Sequence, residues 1–323
     1  MLNNPLFPMT MIFKKYLNKL NNLQGFCYNK KILLYKDINA FIVSSKKDND
    51  ENNKIRENII GAIINNKIPS EYYKYSRRWA NLKYNIEKYI YDLIGVHNNI
   101  NSIALIHRGG RKYNYDFTII VNNTTEYNIE LKFNAENIND APQFVSPVKT
   151  NKYLSRSYEE YYYDNYLCKL ISADDNKYPD RNVYLKEIHG NKPKCMKYFQ
   201  DIYYQGCNKS SQYTGNKDSI DFYNLSNSLD KISRENFINI TDLNIVALTE
   251  YLKETQENKI YMLYKNNKFH KQIVNISDYE LVRWEKYPDK FKYIAYSASG
   301  KQIDILLRWK NGNGIAFPAF QIS

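Results

Sequence analysis

The run Asn114-Tyr115-Asp116-Phe117-Thr118-Ile119-Ile120-Val121 is followed, after the polar turn Asn122-Asn123-Thr124-Thr125-Glu126, by Tyr127-Asn128-Ile129-Glu130-Leu131-Lys132-Phe133. Two β-rich segments joined by five polar residues predict an antiparallel hairpin. Side chains alternate along a strand, so Glu130 and Lys132 share one face while Ile129, Leu131 and Phe133 take the other. An antiparallel partner brings Asp116 to the end of the Glu130 face. Two carboxylates and an ammonium group then occupy one small site.

Before this hairpin, Ser102–Ile106 reads as a further strand. Ile55, Ile59, Ile60, Ile63 and Ile64 mark one face of a helix. After Pro69-Ser70, a second helix is expected from Glu71 to Leu93, with Leu82, Ile86, Ile90, Leu93 and Ile94 as its apolar stripe and Gly95 as its stop. Two short apolar stretches, Leu17–Leu23 and Ile32–Val43, precede them, and the polar run from Ser44 to Asn53 reads as a solvated loop.

Downstream, Tyr158, Tyr162, Tyr166 and Leu170 recur at i+4 and predict a helix from Ser155 to Leu170. Val183–Ile188 is read as a strand, Cys195–Tyr204 as a helix, Gly206–Asp221 as an extended loop, and Ile238–Lys253 as a strand and a helix. Lys259–Lys265 and Phe269–Val274 predict a hairpin turning at Asn266-Asn267. Ile303–Trp309 and Gly314–Gln321 predict another, with Asn311-Gly312 at its turn. The fold class expected is α/β in the broad α+β sense: a mixed central sheet flanked by helices, with additional C-terminal β-hairpins. The domain division expected is 1–235 for the core and 236–323 for a C-terminal α/β part, with one continuous domain as the alternative.

Composition narrows the class. The chain has 323 residues, 49 of them aromatic, and 43% are hydrophobic, which excludes wholesale disorder and rod-like folds. Lys and Arg outnumber Asp and Glu by 46 to 34, a net charge of +12 that favours a polyanionic partner. The 43 asparagines, many in pairs, fit an A+T-rich coding sequence better than a functional adaptation. Cys27, Cys168, Cys195 and Cys207 show no CxxC spacing and read as free thiols of a reducing compartment. The basic pair Lys14-Lys15 follows rather than precedes the first apolar patch, so no secretory signal is read, and no run is long enough for a membrane span. A soluble cytoplasmic protein is expected. The four histidines have no metal-ligand spacing, and no GxxxxGK[ST] phosphate loop or other nucleotide-cofactor motif occurs.

Two carboxylates this close repel one another unless a cation lies between them, and Mg²⁺ with oxygen ligands suits such a pair. The ion polarises a phosphoryl oxygen and lowers the pKa of a bound water, while Lys132 orients that water or stabilises charge developing at phosphorus. Asp116, then thirteen residues, then Glu130-Leu131-Lys132 resembles the PD-(D/E)XK nuclease superfamily, most closely its type II restriction endonucleases. The resemblance covers residues 75–170, with Tyr115 standing where the motif has proline.

The resemblance implies a restriction-endonuclease-like core and Mg²⁺-dependent hydrolysis of phosphodiester bonds with one or two ions. It implies Asp116, Glu130 and the backbone carbonyl of Leu131 as metal ligands and Lys132 as the catalytic lysine. Glu87 matches the acidic residue that many members carry on the helix before the sheet, and Gln143 matches a glutamine after the ExK strand that orients water or phosphate. The expected partners are double-stranded DNA, a second copy of the chain, and a methyltransferase encoded elsewhere.

Around this motif, Arg108, Arg111 and Lys112 in the Gly109-Gly110 turn are candidate phosphate contacts, with Lys149, Lys152 and Arg156 after the hairpin. At the C-terminal turn, Arg308, Lys310, Asn311 and Asn313 are candidates for reading base edges in a groove, with a plain surface turn as the alternative. Met262, Tyr264, Trp284 and Tyr293 read as packing residues. The alternatives are a structure-specific, repair or phage nuclease of the same superfamily, a non-catalytic nucleic-acid-binding protein, or a structural protein with a Lys-rich surface.

Overall fold

The computed structural model describes residues 25–42, 49–95, 100–108, 113–138, 143–145, 152–173, 180–190, 217–308 and 319–323. Strands β1 (Phe26–Tyr28) and β2 (Lys31–Leu33) pair antiparallel around Asn29-Lys30. Both turn residues have positive φ, 48° and 61°, the twist that a two-residue hairpin requires. A 3₁₀ turn, Tyr35–Phe41, leads to helix α1 (Asn49–Ile64).

The single helix expected from Glu71 is two, α2 (Ser70–Tyr75) and α3 (Arg77–Ile94). Ser76 between them is extended (φ −136°, ψ 114°), and its hydroxyl accepts the Trp79 N–H, so a new N-cap restarts the chain. Strands β3 (Ile103–His107), β4 (Phe117–Val121) and β5 (Thr125–Phe133) form an antiparallel meander in which Phe117 faces Ile129.

The chain continues through β6 (Gln143–Val145) and α4 (Tyr158–Tyr162), whose axis runs on through a π-helical turn, Tyr163–Leu167, into α5 (Cys168–Ile171). Helices α6 (Arg181–Gly190), α7 (Lys217–Ile240) and α8 (Ile245–Gln256) follow. The last strands are β7 (Lys259–Lys265), β8 (Lys268–Ile273), β9 (Leu281–Tyr287), β10 (Lys292–Ser297), β11 (Gln302–Arg308) and β12 (Ala319–Ile322). The architecture is mixed α+β.

Two compact units interleave along the sequence: Met1–Ile138 with Asn258–Val274, and Asn139–Glu257 with Asn275–Ser323. The boundary expected near residue 235 falls inside α7. The strand expected at Val183–Ile188 is part of α6, and the segment 238–253 holds the end of α7 and most of α8, with no named strand. Val183–Ile188 is a run of six residues, too short for periodicity to separate a helix from a strand. The stretches at 17–23 and 195–204 and the turn at Asn311-Gly312 lie outside the described residues.

In the first unit the sheet order is β3-β4-β5-β7-β8, with β5 and β7 parallel. Phe117, Ile119, Val121, Ile129 and Met262 join Ile59, Ile60 and Ile63 of α1 and Leu82, Ile86 and Ile90 of α3 in one buried cluster. The expected β7–β8 hairpin is present, with Asn266 and Asn267 both at positive φ. The outer edge of β3 is occupied by Asn65. Its amide nitrogen donates to the Leu105 carbonyl (2.9 Å) and its oxygen accepts the Leu105 N–H (2.8 Å), so those backbone groups are not left open for another strand. Helix α1 approaches β3 closely at Gly61, where an added Cβ would lie 2.5 Å from both His107 Nε2 and the Tyr28 hydroxyl.

The second unit has the antiparallel order β6-β12-β11-β10-β9. Ile303, Ile305 and Leu307 are buried while Gln302, Asp304, Leu306 and Arg308 alternate with them on the more exposed face. Tyr158, Tyr162, Tyr166 and Leu170, the expected i+4 stripe, are all buried. The π-helical turn was not legible in that stripe, because one wide turn leaves the apolar face intact. Among the described residues no helix is long and apolar enough to cross a membrane.

Candidate functional site

The antiparallel ladder between β4 and β5 ends at the Phe117–Ile129 pair, one residue before Asp116 and Glu130. Beyond that pair the main chain of Asp116 is divided between both neighbours. Its N–H donates to the Ile129 carbonyl (2.9 Å) and its carbonyl accepts the Arg108 N–H (2.8 Å). The N–H of Leu131 would therefore lack a strand partner, and Asp116 Oδ2 accepts it at 2.8 Å. This bond fixes the carboxylate where the two strands part.

Glu130 and Lys132 project from the face of β5 opposite the buried Ile129, and Lys132 Nζ lies 2.7 Å from Glu130 Oε1. Both side chains are largely covered, at 16% and 20% exposed, so the pair is less screened than a surface ion pair. Asp116, Glu130 and Lys132 thus meet at one place, with the Leu131 N–H bound to the Asp116 carboxylate.

Two further residues join them. Glu57, on α1, interacts electrostatically with both Asp116 and Glu130. Lys259 opens β7, and the parallel register sets it opposite Asn128 and Tyr261 opposite Glu130, which places Lys259 on the Glu130–Lys132 face. Its side chain is buried, donates to the Asn114 carbonyl (3.1 Å), and carries its ammonium over the Tyr261 ring. Lys259 therefore ties down the bend that leads into Asp116.

The electrostatics follow from burial. Asp116 is pushed up to about 7, first by desolvation and then by the Glu130 charge; the Leu131 N–H, Lys132 and Lys259 act in the other direction without prevailing. Glu57 is pushed up to about 8 by desolvation and by Asp116 and Glu130, with Lys54 and Lys31 acting in the other direction. Burial likewise lowers Lys259, although Glu130 and Asp116 favour its charged form. Three carboxylates against two committed ammonium groups leave a negative excess, which takes up protons or a cation.

Glu87 is not part of this cluster. Its side chain is 59% exposed and pairs with Lys83 on the next turn of α3 (3.5 Å). It borders an apolar groove of about 430 Å³ that Ser102 and Ile103 also line, at the end of β3 remote from Asp116. Spacing could not separate the two helices' acids; the packing of α1 against β3 selects Glu57. Gln143 lies in β6 of the second unit, paired with Ile322, and its side chain lies outside the described residues.

Arg108 donates to Thr118 Oγ1 (3.0 Å) and stacks on Tyr113, so its guanidinium braces the strand entry. Lys152 and Arg156 are exposed in the second unit. Arg308 is half-buried and donates to Gln321 Oε1 (3.0 Å). Arg111, Lys112, Lys149, Lys310, Asn311 and Asn313 lie outside the described residues.

Among the described residues no group of three or more His, Cys, Asp and Glu side chains is arranged to hold a metal ion. Mg²⁺ is commonly held through only one or two carboxylates, the rest of its shell being water and substrate oxygens, so the Asp116–Glu130 pair has the donor chemistry required. No protein-family model, curated protein or solved structure matches the chain.

Proposed function

We propose that the chain is a Mg²⁺-dependent nuclease of the PD-(D/E)XK kind that cleaves double-stranded DNA. The observation that carries this reading is the meeting of Asp116, Glu130 and Lys132 where β4 and β5 part, with Asp116 held by the Leu131 N–H and Lys132 against Glu130. The order of elements supports it: a helix carrying Glu57, a three-stranded meander, and then β7 laid parallel to β5.

The donor set suits a cation: Asp116 and Glu57 are both pushed up where three carboxylates act on one another. A buried excess of hard oxygen donors disfavours full ionisation without one. Asp116, Glu130 and the Leu131 carbonyl would hold it. When bound, the ion supplies Lewis acidity toward a phosphoryl oxygen and acidifies water. Lys132 Nζ offers its protons to the attacking water oxygen or to the oxygens that gain charge at phosphorus. In the net reaction the water oxygen bonds to phosphorus, a bridging P–O bond breaks, and the departing oxygen leaves with the electron pair and acquires a proton. Lys259 and the Leu131 N–H keep Asp116 in place throughout.

The finer reading is a type II site-specific endonuclease acting in the cytoplasm. A second unit with its own five-stranded sheet offers a part for sequence recognition, carrying Lys152, Arg156 and Arg308. Cutting both strands calls for two sites, hence a homodimer, and protection of the host genome calls for a separate methyltransferase.

The test is incubation with long unmethylated duplex DNA in Mg²⁺ or EDTA, beside Asp116→Ala, Glu130→Ala and Lys132→Ala variants. Discrete Mg²⁺-dependent fragments, absent with all three folded variants, are the expected result. A ladder would replace site-specific cutting with a less selective nuclease. A gel shift without cleavage would leave a binding protein, and wild-type cutting by any of the three variants would dismiss this site.

A further inference from the structure

At the carboxylate cluster, and on the hairpin and helix that adjoin it, the lysines divide in two: Lys132 and Lys259 are committed, one to Glu130 and the other to the Asn114 carbonyl. Lys30, Lys31 and Lys54 are not. All three are exposed, and none forms an ion pair among the described residues. Lys30 and Lys31 stand at the tip of the β1–β2 hairpin, and Lys54 on α1.

The hairpin is held firmly against that helix. Asn29 Nδ2 donates to Asn58 Oδ1 (3.0 Å), and the Tyr28 hydroxyl accepts from Asn65 Nδ2 (2.9 Å) while its ring meets His107 edge-on. Residues four apart on a helix are neighbours, so Lys54 sits one turn from the Asn58 anchor, beside the hairpin tip. Glu57 precedes Asn58 and feels both Lys31 and Lys54, as well as Asp116 and Glu130. Two uncommitted cations, Lys31 and Lys54, therefore act on the carboxylate site from an anchored frame, with Lys30 beside them at the hairpin tip.

We infer that the β1–β2 hairpin tip and the adjoining turn of α1 form the surface on which the phosphate backbone of duplex DNA lies as it enters the Asp116–Glu130–Lys132 site. This rests on the nuclease reading and names the side from which its substrate is held. A polyanion suits the surface because exposed lysines contact phosphates without reading bases and release counterions as they do so. It also offsets the repulsion that the three carboxylates would exert on an approaching phosphate.

The test measures binding of a short fluorescein-labelled duplex of mixed sequence by anisotropy, in EDTA so that the probe survives, between about 50 and 200 mM salt. Full-length wild type is compared with Lys30→Gln/Lys31→Gln/Lys54→Gln and with Lys67→Gln/Lys88→Gln, two exposed lysines elsewhere, one just beyond α1 and one on α3. Each phosphate that a lysine no longer neutralises should reduce the slope of log affinity against log salt by about 0.9, so the slope of the triple variant should fall by roughly 2 to 3. The slope of the control pair should change little, and melting temperatures should match wild type. An unchanged slope in the triple variant, or an equal fall per lysine in the control, overturns this surface while leaving the nuclease reading standing. Failure of wild type to bind duplex DNA at any salt removes both.

Discussion

Replacing Glu57 with glutamine removes an ionisable carboxyl that acts on Asp116 and Glu130 while keeping the side chain's size. In the folded protein Glu57 is pushed from 4.5 to about 8, by burial first and by Asp116 and Glu130 next. Below pH 4.5 the carboxyl is neutral in both folded and unfolded chains and its ionisation costs nothing. As the pH rises toward 8 the unfolded chain releases this proton first, so the stability that comes from holding it is lost through that window. From pH 5 to pH 8 three pH units at about 1.4 kcal/mol each set an upper bound of about 4 kcal/mol. Solvent at the half-buried side chain screens part of this, leaving about 2 kcal/mol. That corresponds to a melting-temperature gain of about 4–8 °C for Glu57→Gln over wild type at pH 8, shrinking toward zero near pH 5. Differential scanning fluorimetry of both proteins in EDTA across this range provides the measurement. Melting curves that stay parallel from pH 5 to pH 8 would refute the placement of Glu57 beside the Asp116–Glu130 pair.

Lys259→Met removes the donor to the Asn114 carbonyl together with a buried charge, and Lys259→Gln retains a donor alone. The methionine variant should raise the Mg²⁺ concentration needed for half-maximal cleavage several-fold, with partial recovery in the glutamine variant; a change in melting temperature alone would reduce Lys259 to a packing residue. Gly61→Ala should destabilise the fold by about 1–3 kcal/mol in urea titrations, because its Cβ meets His107 and Tyr28 inside the core. Burial holds His107 below its usual pKa. Its neutral form is favoured, so stability is lost as pH falls below about 6.5, and His107→Phe should flatten the acid side of the melting-temperature profile.

The meander was legible because local signals agree. Period-two alternation places Ile129 inward and Glu130 and Lys132 outward, and the positive-φ asparagines that close these turns are Asn122 with Asn123 and Asn266 with Asn267. The Asp116, Glu130 and Lys132 cluster follows from alternation and antiparallel pairing alone, which operate over a few residues. The break at Ser76 was less legible, since the apolar stripe of α3 runs on in phase and only the serine cap marks the restart.

Sequence alone thus determined the α+β class, the β4–β5 hairpin and the residues at its open end. Tertiary structure decided the rest. The parallel pairing of Ile129 with Ile260 joins segments separated by most of the second unit, and no local pattern encodes a partner at that distance. That pairing brings Lys259 to the site, and the packing of α1 at Gly61 brings Glu57 there while α3 carries Glu87 to the far end of β3. The physical reason is common to all three. Backbone periodicity assigns a residue to a face, but only the burial of apolar surface between distant segments decides which faces meet.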